Sequence, residues 1–443
     1  MEKEKIKKDN KKISKKRRNN AILYPIYKMF SWDLLCYYSV EFLFLTITKG
    51  LSASQVLMLT SIYIISKIIF QIPSVAISDY IGKRKSMILG NILVAIYIIL
   101  LIVATDFYWI MFAMLFCGLG YDLKTISEGN LLYDSVATRG GDGIYTKIDS
   151  RGASAYYILD TILAIMAGYL FVINNYIPMY ICLVFLLIST IISIKFKDIY
   201  KSKQTEKKQE FSKFIKEYST DIKNSFKFIK QSKRMRAYVV FAAVFYGLIK
   251  VMSTYKNDML IDIGVAEEQF SMIYAVLSLI AAISVTYSRK IQRYFKNKTL
   301  TFLSLSYIIS IIFVGAISLS ITNDLALPLV LVFYTVTRVC DSQWYVTQYT
   351  YLKNFTTASS RTKISFTYEL ITGIVASIMS MIGAAILELL NIRYAMLLVG
   401  LLFLAIMIVI LDYMKSRFGL RPKQYNKEDI EFIDDKENNN VKV

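Results

Sequence analysis

Apolar residues along this chain gather into twelve long runs, at 24–48, 54–77, 86–105, 108–136, 151–174, 177–195, 237–262, 267–287, 300–322, 325–352, 362–388 and 391–413. Each is close to the roughly 20 residues a helix needs to cross bilayer hydrocarbon. Short polar segments separate them, such as Asn174-Asn175-Tyr176 before Pro178 and Thr322-Asn323-Asp324 before Pro328. The pattern predicts an all-α integral membrane protein with twelve transmembrane helices in two pseudo-symmetric six-helix bundles, 24–195 and 237–413. A basic tail (1–23) precedes them, a linker (196–236) divides them, and a second tail (414–443) follows. Within the linker, Phe211, Phe214, Ile215, Tyr218, Ile222, Phe226 and Ile229 recur at helical spacing among lysines. That spacing predicts an amphipathic helix lying against the membrane or the bundle.

The polar positions orient the spans. Counting crossings from the N-terminus, 45 of the 53 Lys and Arg fall in the tails, the even-side loops or the span ends bordering them (Arg151, Lys195 and Lys363), six lie deeper inside spans, and only Lys49 and Arg393 fall on the other side. Basic loops stay cytoplasmic, so both termini are expected inside, in a multi-pass cell membrane protein of the bacterial plasma membrane type. The first twenty residues hold ten Lys or Arg with no short apolar run and cleavage site after them, which reads as a retained tail. A net charge of +20 could serve nucleic acid, but its placement beside spans points to anionic lipid heads instead. A 55% hydrophobic chain needs the bilayer as solvent. The four cysteines, Cys36, Cys117, Cys182 and Cys340, lie in spans and predict no disulfide framework. Histidine is absent, which leaves Asp and Glu for any proton chemistry.

Between the second and third spans the chain reads Ile72-Pro73-Ser74-Val75-Ala76-Ile77-Ser78-Asp79-Tyr80-Ile81-Gly82-Lys83-Arg84-Lys85. A carboxylate, a glycine turn and then bases can pair across helix ends or cap a neighbouring helix. The segment resembles the G-x-x-x-D-R/K-x-G-R/K-R/K signature of the major facilitator superfamily, with Asp79, Gly82, Lys83 and Arg84 matching and Val75 and Tyr80 departing. Lys83-Arg84-Lys85-Ser86 finds an echo in Lys296-Asn297-Lys298-Thr299 between the eighth and ninth spans, as a duplication would leave. The resemblance implies that these four residues act as a conformational latch. The fourth span ends Ser127-Glu128-Gly129-Asn130-Leu131-Leu132-Tyr133-Asp134-Ser135, which is similar to a poorly characterised branch containing bacterial exporters. Two signatures of drug–proton antiporters are missing. The fifth span has no G-x-x-x-G-P, and the fourth has Cys117-Gly118-Leu119-Gly120-Tyr121-Asp122 in place of Arg–Gln–Gly.

An ionised group on a spanning helix costs a few kcal/mol or more, so each needs a partner, water or a task. Asp33 and Glu41 lie on the first span, ~12 Å apart along a helix axis. Asp122, Lys124 and Glu128 lie on the fourth, Lys250 on the seventh, and Arg338 and Asp341 on the tenth; Lys67, Asp160 and Glu369 lie on the second, fifth and eleventh. The resemblance implies that spans 1, 4, 7 and 10 line a central cavity. Asp122 and Arg338 are 216 residues apart (338 − 122) and Asp33 and Lys250 are 217 apart (250 − 33), so equivalent positions are acidic in one half and basic in the other. The candidates for binding solute or coupling protons are therefore Asp33, Glu41, Asp122, Lys250, Arg338 and Asp341, with Asp33, Asp122 and Lys250 preferred. Bland readings stand beside them: Arg338–Asp341 and Lys124–Glu128 as local pairs, Asp134 with Arg151 as a surface pair, and Tyr37, Tyr38, Tyr246, Tyr334 and Trp344 as packing rather than stacking platforms.

No phosphate-cradling G-x-x-x-x-G-K-[ST] loop is present, and an H-E-x-x-H zinc site is impossible without histidine. The chain is expected to be no enzyme and to need no cofactor. The favoured function is secondary active transport by alternating access, exporting a small organic or amphipathic solute in exchange for protons. Proton-coupled uptake of a zwitterion such as an amino acid or short peptide is the alternative within that class. A non-transporting receptor or assembly partner is the alternative outside it. The expected partners are a small-molecule substrate, protons and lipids, with the protein acting as a monomer.

Overall fold

The computed structural model describes residues 2–136, 142–199, 208–295, 298–321, 325–354 and 361–415. Lys296, Asn297, residues 322–324 and the tail beyond 415 lie outside them, as do the side chains of Phe211, Phe214, Ile215 and Tyr218. In chain order the elements are α1 (Glu2–Ser31), α2 (Glu41–Leu43), a π-helical turn (Phe44–Thr48), α3 (Ala53–Ile81), α4 (Lys83–Val103), α5 (Phe107–Val136), α6 (Asp142–Ile173) and α7 (Ile177–Lys195). There follow α8 (Lys208–Gln231), α9 (Lys233–Asp262), α10 (Glu267–Thr286), α11 (Ser288–Phe295), α12 (Thr299–Ser320), α13 (Ala326–Asn354), α14 (Arg361–Leu389) and α15 (Ile392–Lys415).

Ten of these are long and apolar enough to cross a membrane: α3–α7, α9, α10, α12, α14 and α15. Many large apolar side chains point outward, among them Val103, Ile173, Val409 and Leu389 at 70–82% exposure, as lipid-facing side chains do. The two expected spans outside this set are the first and the tenth, the same two that carry Asp33, Glu41, Arg338 and Asp341. The protein is an all-α, multi-pass membrane protein.

The first span is not the continuous helix predicted for 24–48. α1 stops at Ser31, residues 32–40 form turns, and Cys36 takes a positive φ of 69°. Asp33 helps explain the break, because its Oδ1 accepts the Leu34 amide at 3.1 Å and so competes with the helical ladder. Irregular backbone survives in a membrane protein only where it is enclosed, and Leu34, Leu35, Cys36, Tyr37 and Val40 are all buried.

The chain divides into two compact units. One holds Met1–Leu51, Ile62–Ile215 and Glu267–Ala275; the other holds Ser52–Ser61, Lys216–Ala266 and Val276–Val443. Within each unit the packing partners repeat. In the first, α4 packs on α5 and α7, and α1 on α5, α6 and α7. In the second, α12 packs on α13 and α15, and α9 on α13, α14 and α15. Span for span these are the same neighbours, so the duplication faintly traced in sequence is plain in the packing. A close crossing joins α4 to α5, where a Cβ on Gly90 would sit 2.7 Å from the Gly120 carbonyl oxygen. The linker helix, α8, is present, with Ser225, Phe228 and Ile229 buried; Phe226, which the periodicity puts on the apolar face, is 52% exposed.

Lys49 and Arg393, the two bases on the sparsely charged side, both bond to the C-terminal ends of helices. Lys49 Nζ donates to the carbonyls of Ile102 and Ala104 at 2.8 Å each, where α4 has run out of its own donors. Its ammonium also lies 5.5 Å from the Phe44 ring centroid and 5.6 Å from that of Tyr176. Arg393 pairs through Nε with Asp262 at 2.5 Å and donates through Nη1 to the Ser318 carbonyl at 2.8 Å, closing α9 and α12. Replacing Lys49 by Met strands two carbonyls and should destabilise the protein by about 1–3 kcal/mol, read as a lower melting point in detergent. An unchanged melting point would assign those carbonyls to other donors.

Candidate functional site

In the first unit, α5 presents two charged faces. On one, Asp122 turns to α3, its Oδ1 4.0 Å from Lys67 Nζ; Asp122 is buried, while the Lys67 side chain is 45% exposed. On the other, three residues meet α1 in register. Tyr121 donates its hydroxyl to Asp33 Oδ1 at 2.8 Å. Lys124 donates Nζ to the Ser31 carbonyl, at the broken end of α1, and lies 4.0 Å from the Tyr121 ring centroid. One turn on, Glu128 is buried beside the segment of α1 that carries Tyr24, Tyr27 and Lys28. Lys28 in turn pairs with Asp149 of α6, which also accepts the Tyr24 hydroxyl at 2.9 Å. Glu41 opens α2, half-buried beyond the break.

In the second unit the structure rearranges an expected pair. The i,i+3 spacing of Arg338 and Asp341 predicts that they neutralise each other on α13. Asp341 is held instead by Lys256 of α9, at 3.4 Å; Asp341 is buried and Lys256 half-buried. Arg338 reaches the other way, donating Nη2 to Ser278 of α10 at 3.3 Å. Lys250 is half-buried, with Nζ 5.4 Å from the Tyr246 ring centroid. The arrangement parallels the first unit: Asp122 and Arg338 each turn to the neighbouring second or eighth span, and Asp33 and Asp341 each meet a residue across the first–fourth or seventh–tenth contact.

Lys256 is a missed residue. It sits within an expected span and could have been read there, six residues after Lys250. Of the aromatic candidates, Tyr37, Tyr334 and Trp344 are core residues, with Trp344 edge-on to Phe241 and Phe245. Tyr38 is 39% exposed.

The glycine turn has the geometry its composition calls for. Gly82 takes φ 94° at the start of α4, in the region that favours glycine. The cap of α4 comes from an unexpected residue: Asp198, just past α7, accepts the Arg84 amide at 3.0 Å through Oδ1. Lys16 of α1 holds the Asp198 carbonyl at 3.2 Å, and Asn20 bonds Ser135 of α5 at 3.1 Å and the Lys197 carbonyl at 2.9 Å. Lys83 reaches Asp134 of α5 at 2.5 Å, which gives Asp134 a partner other than the Arg151 considered from sequence. Asp79 is exposed and also engaged in polar interaction.

Comparison with known proteins puts these features in a wider setting. The sequence profile of the Major Facilitator Superfamily matches residues 29–351. No curated relative matches the chain by sequence alone. Among solved structures, a mutant of the nucleoside transporter NupG superposes with a TM-score of 0.68 at 12% identity, covering 90% of this chain and 99% of the other. A POT family transporter in complex with 5-aminolevulinic acid gives 0.68 at 13% identity, covering 90% and 96%. A bacterial homolog of the human lysosomal transporter Spinster, inward-facing and occupied, gives 0.61 at 12% identity, covering 91% and 96%.

Proposed function

The chain belongs to the Major Facilitator Superfamily, and from that premise we propose that it is a secondary active transporter working by alternating access, which exports a small organic or amphipathic solute in exchange for protons. The observation that carries this reading is the placement of buried charge. Each unit carries intramembrane acids and bases on helices that are equivalent under the repeat, α5 and the broken α1 in one, α13 and α9 in the other, with Lys67, Asp160 and Glu369 besides on α3, α6 and α14. Such groups are costly unless they bind something. A carboxylate in an apolar cleft can exchange a proton for a cationic solute, and Asp33 and Asp122 are the preferred acids for solute binding or coupling. Lys250, Lys256 and Arg338 are the corresponding bases of the second unit. Asp79, Gly82, Lys83 and Arg84 supply the cytoplasmic latch in this reading, with Asp198 fixing the turn that carries them.

In proteoliposomes under an imposed pH gradient, Asp122→Asn and Asp33→Asn should each abolish gradient-driven flux and leave the protein folded. Gradient-driven flux at the parent rate in both variants would remove the two residues from coupling. A second reading is uptake of a zwitterion with protons. The presence of both acidic and basic candidates favours it, as does the fold likeness to a transporter whose bound ligand, 5-aminolevulinic acid, carries an amine and a carboxyl. Counterflow of preloaded amino acids or short peptides, absent for organic cations, would select it.

A further inference from the structure

We propose that Glu128 is the proton-binding carboxyl of the first unit, and that it acts through Lys124 on Asp33. The inference rests on the proton-coupled reading above and names the site within it. Glu128 is 6% exposed, and its Oε2 has no hydrogen-bond partner among the described residues. An ionised carboxylate oxygen left so is among the costliest arrangements a membrane protein can hold, and a proton removes the cost. Asp33 accepts from Tyr121, and Asp122 has the Lys67 ammonium 4.0 Å from its Oδ1.

Among the described residues, charged and titratable groups of three helices act on Glu128. From its own helix Lys124 acts on it; from α1, Tyr24, Tyr27 and Lys28; from α6, Tyr145 and Asp149. α4 brings Lys83, which is engaged by Asp134 further along α5. α3 brings Ser78 to Ser127 at 2.9 Å, and Lys67 to Asp122 on the other face. Lys28 is itself satisfied by Asp149, so Lys124 is the base whose charge Glu128 chiefly balances.

Tyr121, Lys124 and Glu128 stand at i, i+3 and i+7 and span ~10 Å of α5. They meet Asp33, Ser31 and the Lys28 turn of α1 in that order. Lys124 feels both Glu128 and Asp33. When Glu128 is ionised, Lys124 is balanced there and Asp33 keeps its charge for a cation. When Glu128 takes a proton from water, the positive charge of Lys124 is left to neutralise Asp33, and a cation at Asp33 is displaced. One proton in and one cation out is the stoichiometry of antiport, and no bond other than the O–H of Glu128 forms or breaks.

The test begins with the purified protein and needs no solute. Infrared difference spectra taken between pH about 6 and about 9, where exposed carboxyls are already ionised, report any buried carboxyl that titrates. The parent should show one protonated-carboxyl band that Glu128→Gln removes and that Asp122→Asn and Asp33→Asn retain. Should Glu128→Gln fold poorly, Glu128→Asp should move the band. A parent without the band, or a band unmoved by Glu128 variants, overturns the proposal. Flux of tetraphenylphosphonium, a lipophilic cation, then separates the two readings. Glu128→Gln, fixed in the neutral form that leaves Lys124 to Asp33, should lower gradient-driven flux at least tenfold. A parent that moves no cation under a gradient removes the coupled-export reading and leaves the titration result standing. A driven parent with an equally driven Glu128→Gln removes this inference alone.

Discussion

Lys256→Met should be among the most damaging single substitutions in the second unit, costing about 3–5 kcal/mol. Asp341 is 4% exposed, and the Lys256 ammonium at 3.4 Å is its observed counter-charge. Its other oxygen, Oδ1, already lacks a hydrogen-bond partner. Methionine keeps most of the lysine stem, so the loss falls on the charge rather than on packing. The Lys256 carbonyl, which accepts the Tyr334 hydroxyl at 3.1 Å, survives the change. Asp341→Asn should cost less, because a neutral amide is cheaper to bury than an unpaired carboxylate. The double variant should fall short of the sum by 0.5–3 kcal/mol, the usual range for residues in contact. Melting points of the four proteins in one detergent provide the cycle. Strict additivity, with a mild Lys256→Met, would return Asp341 to Arg338, the pair that the spacing on α13 first suggests.

Gly90→Ala should disrupt the α4–α5 crossing although it adds a single methyl group. The new Cβ would lie 2.7 Å from the Gly120 oxygen and 2.8 Å from the Lys124 amide nitrogen, both backbone atoms. Rotamer changes cannot relieve such contacts, so the helices must part. Overpacking of this kind costs 1–3 kcal/mol and occasionally more. In a bilayer the loss is felt fully, because close approach of small residues is a main source of helix association there. Gly129→Ala on the same α5 is the control. Its Cβ would meet only the Tyr145 hydroxyl, at 3.6 Å, and alanine improves helix propensity. Comparable expression and melting of Gly90→Ala and the parent would show that α4 and α5 tolerate a wider separation.

What could be read from the amino acids was whatever depends on local composition. Runs of apolar residues mark the spans, lysines mark the side, and Asp79 to Arg84 mark a turn whose Gly82 does take the left-handed φ. The break at 32–40 was hidden because Leu34, Leu35, Cys36, Tyr37 and Val40 continue the apolar run, and nothing in their order signals lost helix except Asp33. Partners were hidden for another reason. Lys124 and Glu128 look like a self-contained i,i+4 pair, yet the Lys124 amine goes to Ser31 on another helix. Arg338 and Asp341 look alike in this respect and part toward α10 and α9. Asp198 caps α4 from more than a hundred residues away. Spacing along one helix gives the candidates, and only packing chooses among them.

The break in the first span also has a consequence for biogenesis. A segment enters the bilayer by its summed transfer energy, in which a central Asp, Lys or Arg opposes entry by about 2.5–3.5 kcal/mol and each Leu, Ile, Phe or Val favours it by only about 0.3–0.6. The first span carries Asp33 and leaves regular helix between Ser31 and Glu41, and α13 carries Arg338 and Asp341. Neither reaches the hydropathy of the other ten, so each is a poor insertion signal by itself. Each becomes acceptable once a later segment arrives: α5 brings Tyr121 to Asp33 and Lys124 to the open carbonyl of Ser31, while α13 finds Lys256 already in place. The two halves therefore insert in different orders. In the first, the segment with the exposed need is made before its partner and must wait at the membrane; in the second, the partner is made first. The long run of lysines ahead of the first span is well suited to that wait, because it holds the N-terminal end at the anionic face while α3, α4 and α5 are still being made.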